Sequence, residues 1–155
     1  MERIVKFLKE NKKTISTMES CTGGGIVNSI TNVEGASDVI KFSAVTYSNE
    51  FKIKMGVSSD IIDKYSVYSM EVAREMSKKI SDFTSSDFGI GITGKLNRVD
   101  KNNLYGEDNI VYISVYNKNT DKFLDDSIQV TLSNREENKK IVIFKVIEML
   151  EKCFN

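Results

Sequence analysis

The chain has 155 residues, 40% of them hydrophobic, and its 22 basic and 22 acidic side chains cancel to a formal net charge of zero. That length suits one domain, 1–155, with a substantial core, and the balanced charge offers no footprint for nucleic acid or a membrane surface. No apolar run is long enough to span a bilayer, and two distant cysteines, Cys21 and Cys153, make neither a disulfide framework nor a zinc spacing, so a cytoplasmic protein with reduced thiols is expected.

The chain opens with Ile4, Val5, Phe7 and Leu8 at helical spacing, which predicts an amphipathic helix over 2–12. A first strand follows over 14–18. The next helix runs from about Gly23 to Thr31, with Ser20 or Thr22 as its N-cap. Three consecutive glycines, 23–25, are poor helix formers and imply a close backbone approach. After a loop at 33–37, the β-branched and aromatic run 39–47 reads as a second strand. A short helix over 51–55 closes at Gly56, and Ser58 caps another that reaches Ile62.

Ser69 then starts a long helix in which Val72, Met76 and Ile80 recur every four residues, with Ala73 and Phe83 on the same face. Residues 87–93 alternate Phe88, Ile90 and Ile92 with small residues, as a central strand does. The polar stretch 95–108 reads as a long, irregular loop. Two further strands, 109–116 and 123–132, form a hairpin about 117–122. The closing helix, 134–154, is capped by Ser133 or Asn134 and buries Ile143, Ile147 and Leu150.

This order gives an α/β fold with a mixed, mainly parallel sheet between helices. If the first three strands are parallel, their carboxyl ends share the edge where open α/β sheets bind ligands. Ser20 to Gly24, Thr46 to Lys52 and Thr93-Gly94 all follow those ends.

The absence of histidine removes Ser-His-Asp and Cys-His chemistry, so a general base must be Lys, Glu, Asp or Tyr. Ser20 reads either as a helix cap or as a nucleophile. Lys52 and Tyr47 start from the same edge, and a lysine can act as base once burial lowers its pKa from about 10.4 by several units. Cys21 is the rival nucleophile, or else a packed and inert thiol. Glu19 and Asp87 carry no spacing that marks a metal or acid pair. Arg135 is either a phosphate clamp or a surface arginine. The glycine run lacks the Lys-Ser/Thr of a phosphate-binding loop and does not match the dinucleotide fingerprint. An amine, a phenol, a hydroxyl and backbone donors at one edge suit metal-free hydrolysis of an amide or ester.

The stretches E-S-C-T-G-G at 19–24 and V-T-Y-S-N-E-F-K at 45–52 resemble the CinA C-terminal domain family of nicotinamide-nucleotide amidases. The likeness continues through Met55-Gly56-Val57, Ser69, Thr93-Gly94 and Asn134-Arg135. It implies a three-layer α/β/α sandwich that deamidates nicotinamide mononucleotide to the acid and ammonia without metal or cofactor. By the same resemblance Ser20 is the nucleophile, Lys52 its base and Tyr47 a partner of both. Thr22, Gly23, Gly24, Thr46, Thr93, Gly94 and Arg135 are then the substrate-binding set. A small-molecule nucleotide is the implied partner, and self-association into a homo-oligomer is expected. After Gly94 the family has a short glycine-proline loop, where this chain has Lys95-Leu96-Asn97-Arg98-Val99-Asp100. Asn109 and Tyr68 also stand where the family has glycine and valine. Those departures leave a second reading: a nucleotide-binding or regulatory module that keeps the pocket without turnover.

Overall fold

The computed structural model describes residues 1–97, 101 and 103–154. Its elements in chain order are α1 (Glu2–Glu10), β1 (Ile15–Glu19), α2 (Gly25–Thr31), a 3-10 turn (Ala36–Asp38), β2 (Ile40–Val45) and α3 (Asn49–Lys54). They continue with α4 (Ser59–Tyr65), α5 (Met70–Thr84), β3 (Phe88–Gly94), β4 (Ile110–Asn117), β5 (Lys122–Gln129) and α6 (Arg135–Cys153). The strands form one sheet in the order β2-β1-β3-β4-β5. β1 pairs in parallel with both β2 and β3, whereas β3 with β4 and β4 with β5 are antiparallel. The sheet is therefore mixed, with two parallel pairings of four, and only β4 runs against the rest. The carboxyl ends of β1, β2 and β3 lie along one edge.

Helices flank the sheet on both faces, and each face has its own apolar cluster. On one, Ile15, Ile90 and Ile92 meet Ile4 and Leu8 of α1, Ile26 and Ile30 of α2, and Val142, Val146 and Leu150 of α6. On the other, Met18 packs with Val57, Ile62, Val72, Met76 and Ile80. The period of two in β3 sends Ile90 and Ile92 to the first cluster and Gly89 and Gly91 to the opposite face. Gly89 and Gly91 are there because α5 sits directly on the strand: a Cβ at either position would run into the backbone carbonyls of Ser77 or Ala73.

Two expectations about packing shift. Phe83 is in helical register with Met76, yet it is 67% exposed. The last turn of α5 lies beside the edge strand β2, where no further strand covers the ring, and Phe83 instead tilts against Phe42 at 5.6 Å. In α6 the fully buried stripe is Val142, Val146, Met149 and Leu150, while Ile143 and Ile147 are only partly buried. The apolar arc of α6 is wide enough to hold two overlapping stripes, and the sheet selects one. Among the described residues no helix is long and apolar enough to cross a membrane.

At the opposite edge, Asp87 ties three segments together. Its carboxylate accepts from Lys13 Nζ and Thr14 N, both at 2.9 Å, and from Asn119 Nδ2 at 3.2 Å. Burial pushes this carboxyl up, but the Lys13 ammonium, the Thr14 N–H and Asn119 outweigh it and hold the pKa down from 3.8 to about 2. The folded state thus favours the charged form. Its stabilising contribution is complete above the unfolded value and is lost as pH falls from about 4 to about 2. Asp87→Asn should flatten that part of the acid limb in urea unfolding followed against pH; an unchanged limb would show that Asp87 does not contribute to it.

Candidate active site

β1 ends at Glu19, and the chain turns through Ser20 to Gly24 before α2 begins. The N-cap of α2 is Gly24 at φ 90°, a conformation that costs side-chain-bearing residues steric energy. Neither Ser20 nor Thr22 caps the helix, contrary to the sequence expectation. Glu19 does that work from the strand end. Its carboxyl oxygens accept from Ile26 N at 3.1 Å, Val27 N at 2.9 Å, Thr22 Oγ1 at 2.7 Å and Thr17 Oγ1 at 3.2 Å. Glu19 is fully buried, and the first-turn donors of α2 are spent on it rather than offered to a ligand. It cannot pair with Asp87, which lies at the other edge of the sheet.

The freed Ser20 hydroxyl meets Lys52. α3 starts at its N-cap Ser48, whose Oγ accepts from Phe51 N at 3.3 Å, and one turn later it directs Lys52 inward. Lys52 is only 2% exposed. Its Nζ donates to Thr46 O at 2.7 Å and to Ser20 Oγ at 3.2 Å. The Thr46 carbonyl fixes the amine, and the amine faces the hydroxyl. Thr46 Oγ1 is buried and has no hydrogen-bond partner among the described residues.

Ser20 opens onto a cavity of about 670 Å³, also lined by Cys21, Tyr47, Gly94, Lys95 and Arg135. Tyr47 stands on the rim, and its hydroxyl accepts from Arg135 Nη2 at 3.0 Å, while Arg135 Nη1 donates to Leu96 O. The structure thus pairs the phenol with the guanidinium. Burial pushes the Cys21 thiol up to about 12, against the opposing pull of the Arg135 and Lys52 cations. Burial thus holds it as a protonated thiol at neutral pH, a poor nucleophile.

Of the residues the sequence grouped as substrate-binding, Gly94 and Arg135 line the cavity, whereas Thr46 lies behind it and its carbonyl accepts from Lys52. Thr22, Gly23, Gly24 and Thr93 do not line it. Thr22 is bound to Glu19, Gly23 faces Lys139 of α6, and Thr93 Oγ1 donates to Val67 O at 2.8 Å. Gly94 itself answers to packing, since a Cβ would come within 2.5 Å of Ile110 O. Sequence reasoning missed Glu19 as the organiser of the corner, and it missed Asn49, Tyr68 and Asn103 on the cavity wall. For Glu19 a signal existed: an acid at a strand end, just ahead of a helix with no capping side chain of its own.

A family model for the CinA C-terminal domain matches residues 1–154. A CinA-like protein of Thermotoga neapolitana is 43% identical over 94 residues, which are 60% of this chain and 23% of that protein. Another, of Flavobacterium psychrophilum, is 46% identical over 90 residues, 57% of this chain and 22% of its own. The matched segment spans under a quarter of the length of these relatives. Among solved structures, the competence/damage inducible protein CihA from Agrobacterium tumefaciens superposes with a TM-score of 0.87 at 24% identity, covering 97% of this chain and 90% of its own. A CinA superfamily protein from Escherichia coli gives 0.88 at 20% identity, with 98% and 89% covered. These last two share the fold. With the strand-end corner, the buried lysine and a match that runs from residue 1 to 154, the chain belongs to the CinA C-terminal domain family.

Proposed function

We propose that this chain hydrolyses the carboxamide of nicotinamide mononucleotide, or of a related pyridine nucleotide, to the acid and ammonia. The observation that carries the reading is the buried Lys52 amine, 3.2 Å from Ser20 Oγ, which lines an open cavity. Neutral Lys52 takes the Ser20 proton as Oγ attacks the amide carbon. It returns that proton to the leaving nitrogen, so ammonia departs and an acyl-serine remains. Lys52 then takes a proton from water, which attacks the ester carbon, and gives it back to Ser20 as the acid leaves. One water is consumed and one C–N bond is broken. The mechanism needs no metal or cofactor.

Arg135 brings a fixed positive charge with further N–H donors to the same cavity, suited to the phosphate of a mononucleotide. Thr46 Oγ1, buried and without a hydrogen-bond partner among the described residues, is a hydroxyl with room for a water. Tyr47 holds Arg135 at the rim and acts on the site through it.

Ammonia release from nicotinamide mononucleotide, with the acid followed by chromatography, tests the reading. Stoichiometric acid and ammonia support it. Saturable nucleotide binding with no ammonia from any amide would replace it with the binding-module reading, which the side chains of Lys95 and Leu96 in the cavity favour.

A further inference from the structure

The side chain of Lys95 is only 2% exposed, and a buried ammonium is costly unless acceptors receive its protons. Its Nζ donates to Gly106 O at 3.0 Å, to Asp108 Oδ1 at 3.1 Å and to Leu104 O at 3.5 Å. It also lies 5.4 Å from the centre of the Tyr68 ring. Three acceptors take up the three protons, so this ammonium is not left over for a substrate anion. What it holds is the segment 104–108. Two neighbouring bonds fix the same stretch: Ser66 Oγ donates to Tyr105 O at 3.2 Å, and Asn49 Nδ2 donates to Asn103 Oδ1 at 2.8 Å.

Asn49 and Asn103 line two cavities at once. One is the cavity of Ser20; the other, of about 720 Å³, is walled in part by Tyr65, Tyr105 and Gly106. The hydrogen-bonded pair therefore stands where the two meet. We propose that Lys95 is a specificity-determining positioning residue: by pinning 104–108 it keeps Asn103 against Asn49, separates the Ser20 cavity from its neighbour, and restricts the site to a pyridine mononucleotide over the corresponding dinucleotide. This rests on the amidase reading for the class of substrate. A dinucleotide offers the same amide ring, ribose and phosphate, but its second nucleotide must extend beyond the first cavity. The adjoining space, with two tyrosine rings available for stacking, is where it would go, and the asparagine pair bars the way.

The test compares wild type with Lys95→Met, which keeps the length of the stem and removes the donors. For the mononucleotide, KM should rise about tenfold while kcat changes by no more than about threefold. The ratio of kcat/KM between mononucleotide and dinucleotide should fall at least tenfold. Calorimetric titration of both nucleotides into Ser20→Ala and into Ser20→Ala with Lys95→Met gives the same ratio without turnover. An affinity ratio unchanged within about twofold, or no binding of either nucleotide to Ser20→Ala, overturns the proposal. If wild type releases no ammonia while the affinity ratio still falls tenfold, the amidase reading fails and the role of Lys95 stands. Asp108→Asn, at a carboxylate that is 57% exposed, carries the same comparison with a smaller expected fall, about threefold, should Lys95→Met not fold.

Discussion

Ser20→Ala is expected to lower kcat on the order of a thousandfold or more, and Lys52→Met to do the same, because each removes one half of a single proton-transfer unit. The double variant should be no worse than the weaker single one by more than a small factor, since a unit cannot be removed twice. Activity should rise with pH through the neutral and alkaline range, as only the neutral amine accepts the Ser20 proton. A flat profile would mean that another group takes it. Cys21→Ala is the internal control. Its thiol is held up to about 12 by burial, so the loss of sulfur should cost little beyond packing. Were the folded Ser20→Ala protein near normal and Cys21→Ala dead, the nucleophile would be the thiol.

Glu19→Ala is expected to destabilise the fold by about 3 kcal/mol or more, because Thr22 Oγ1, Ile26 N and Val27 N would lose their buried acceptor, while Thr17 Oγ1 keeps Ser43 Oγ. Glu19→Gln should cost less, since one side-chain oxygen survives, although its NH₂ group then faces donors. Urea unfolding measures both. The same variants should reduce kcat more than they raise KM, as the carboxyl group fixes the corner that presents Ser20. A Glu19→Ala protein with the wild-type urea midpoint would remove the capping role altogether.

The succession of strands along the chain and the mixed direction of the sheet could be read from pattern, because β3 alternates isoleucine with small residues and a polar turn separates β4 from β5; the spatial order β2-β1-β3-β4-β5 could not. The corner at Ser20 was legible as a strand-to-helix turn, but its hydroxyl read either as a cap or as a nucleophile, and only the structure, with Gly24 at the N-cap and Lys52 Nζ at 3.2 Å, shows that it is not spent on the helix. Lys52 was legible only by its place after the second strand. Its inward direction follows from the phase of a six-residue helix, and that phase is set by the Ser48 cap. Less was visible in the contacts that join distant segments. Tyr47 meets Arg135 across 88 positions of sequence, and no local pattern announces such a pair. Lys95 sits in a polar stretch that looks like any solvated loop, and only the return of Leu104, Gly106 and Asp108 shows that its charge is spoken for. The expectation of an irregular loop over 95–108 holds for its described residues, whereas Arg98, Val99, Asp100 and Asn102 lie outside them.

Gly89 and Gly91 of β3 give the cavity one jaw that cannot yield. With no β3 side chain at either position, the strand offers no rotamer that could absorb a displacement, so helix and strand travel together as a single beam. The beam ends at the cavity on both of its members: Tyr68 precedes α5, Gly94 and Lys95 close β3, and the Thr93 hydroxyl rivets the two at Val67 O. The opposing jaw is built differently. β2 is an edge strand with one neighbour, and the short α3 that follows it carries Asn49, Phe51 and Lys52. A displacement that widens the cavity therefore falls on the β2–α3 side, and it carries the Lys52 amine relative to the wall of Tyr68, Gly94 and Lys95. Widening the cavity and shifting the Lys52 amine are thus one displacement.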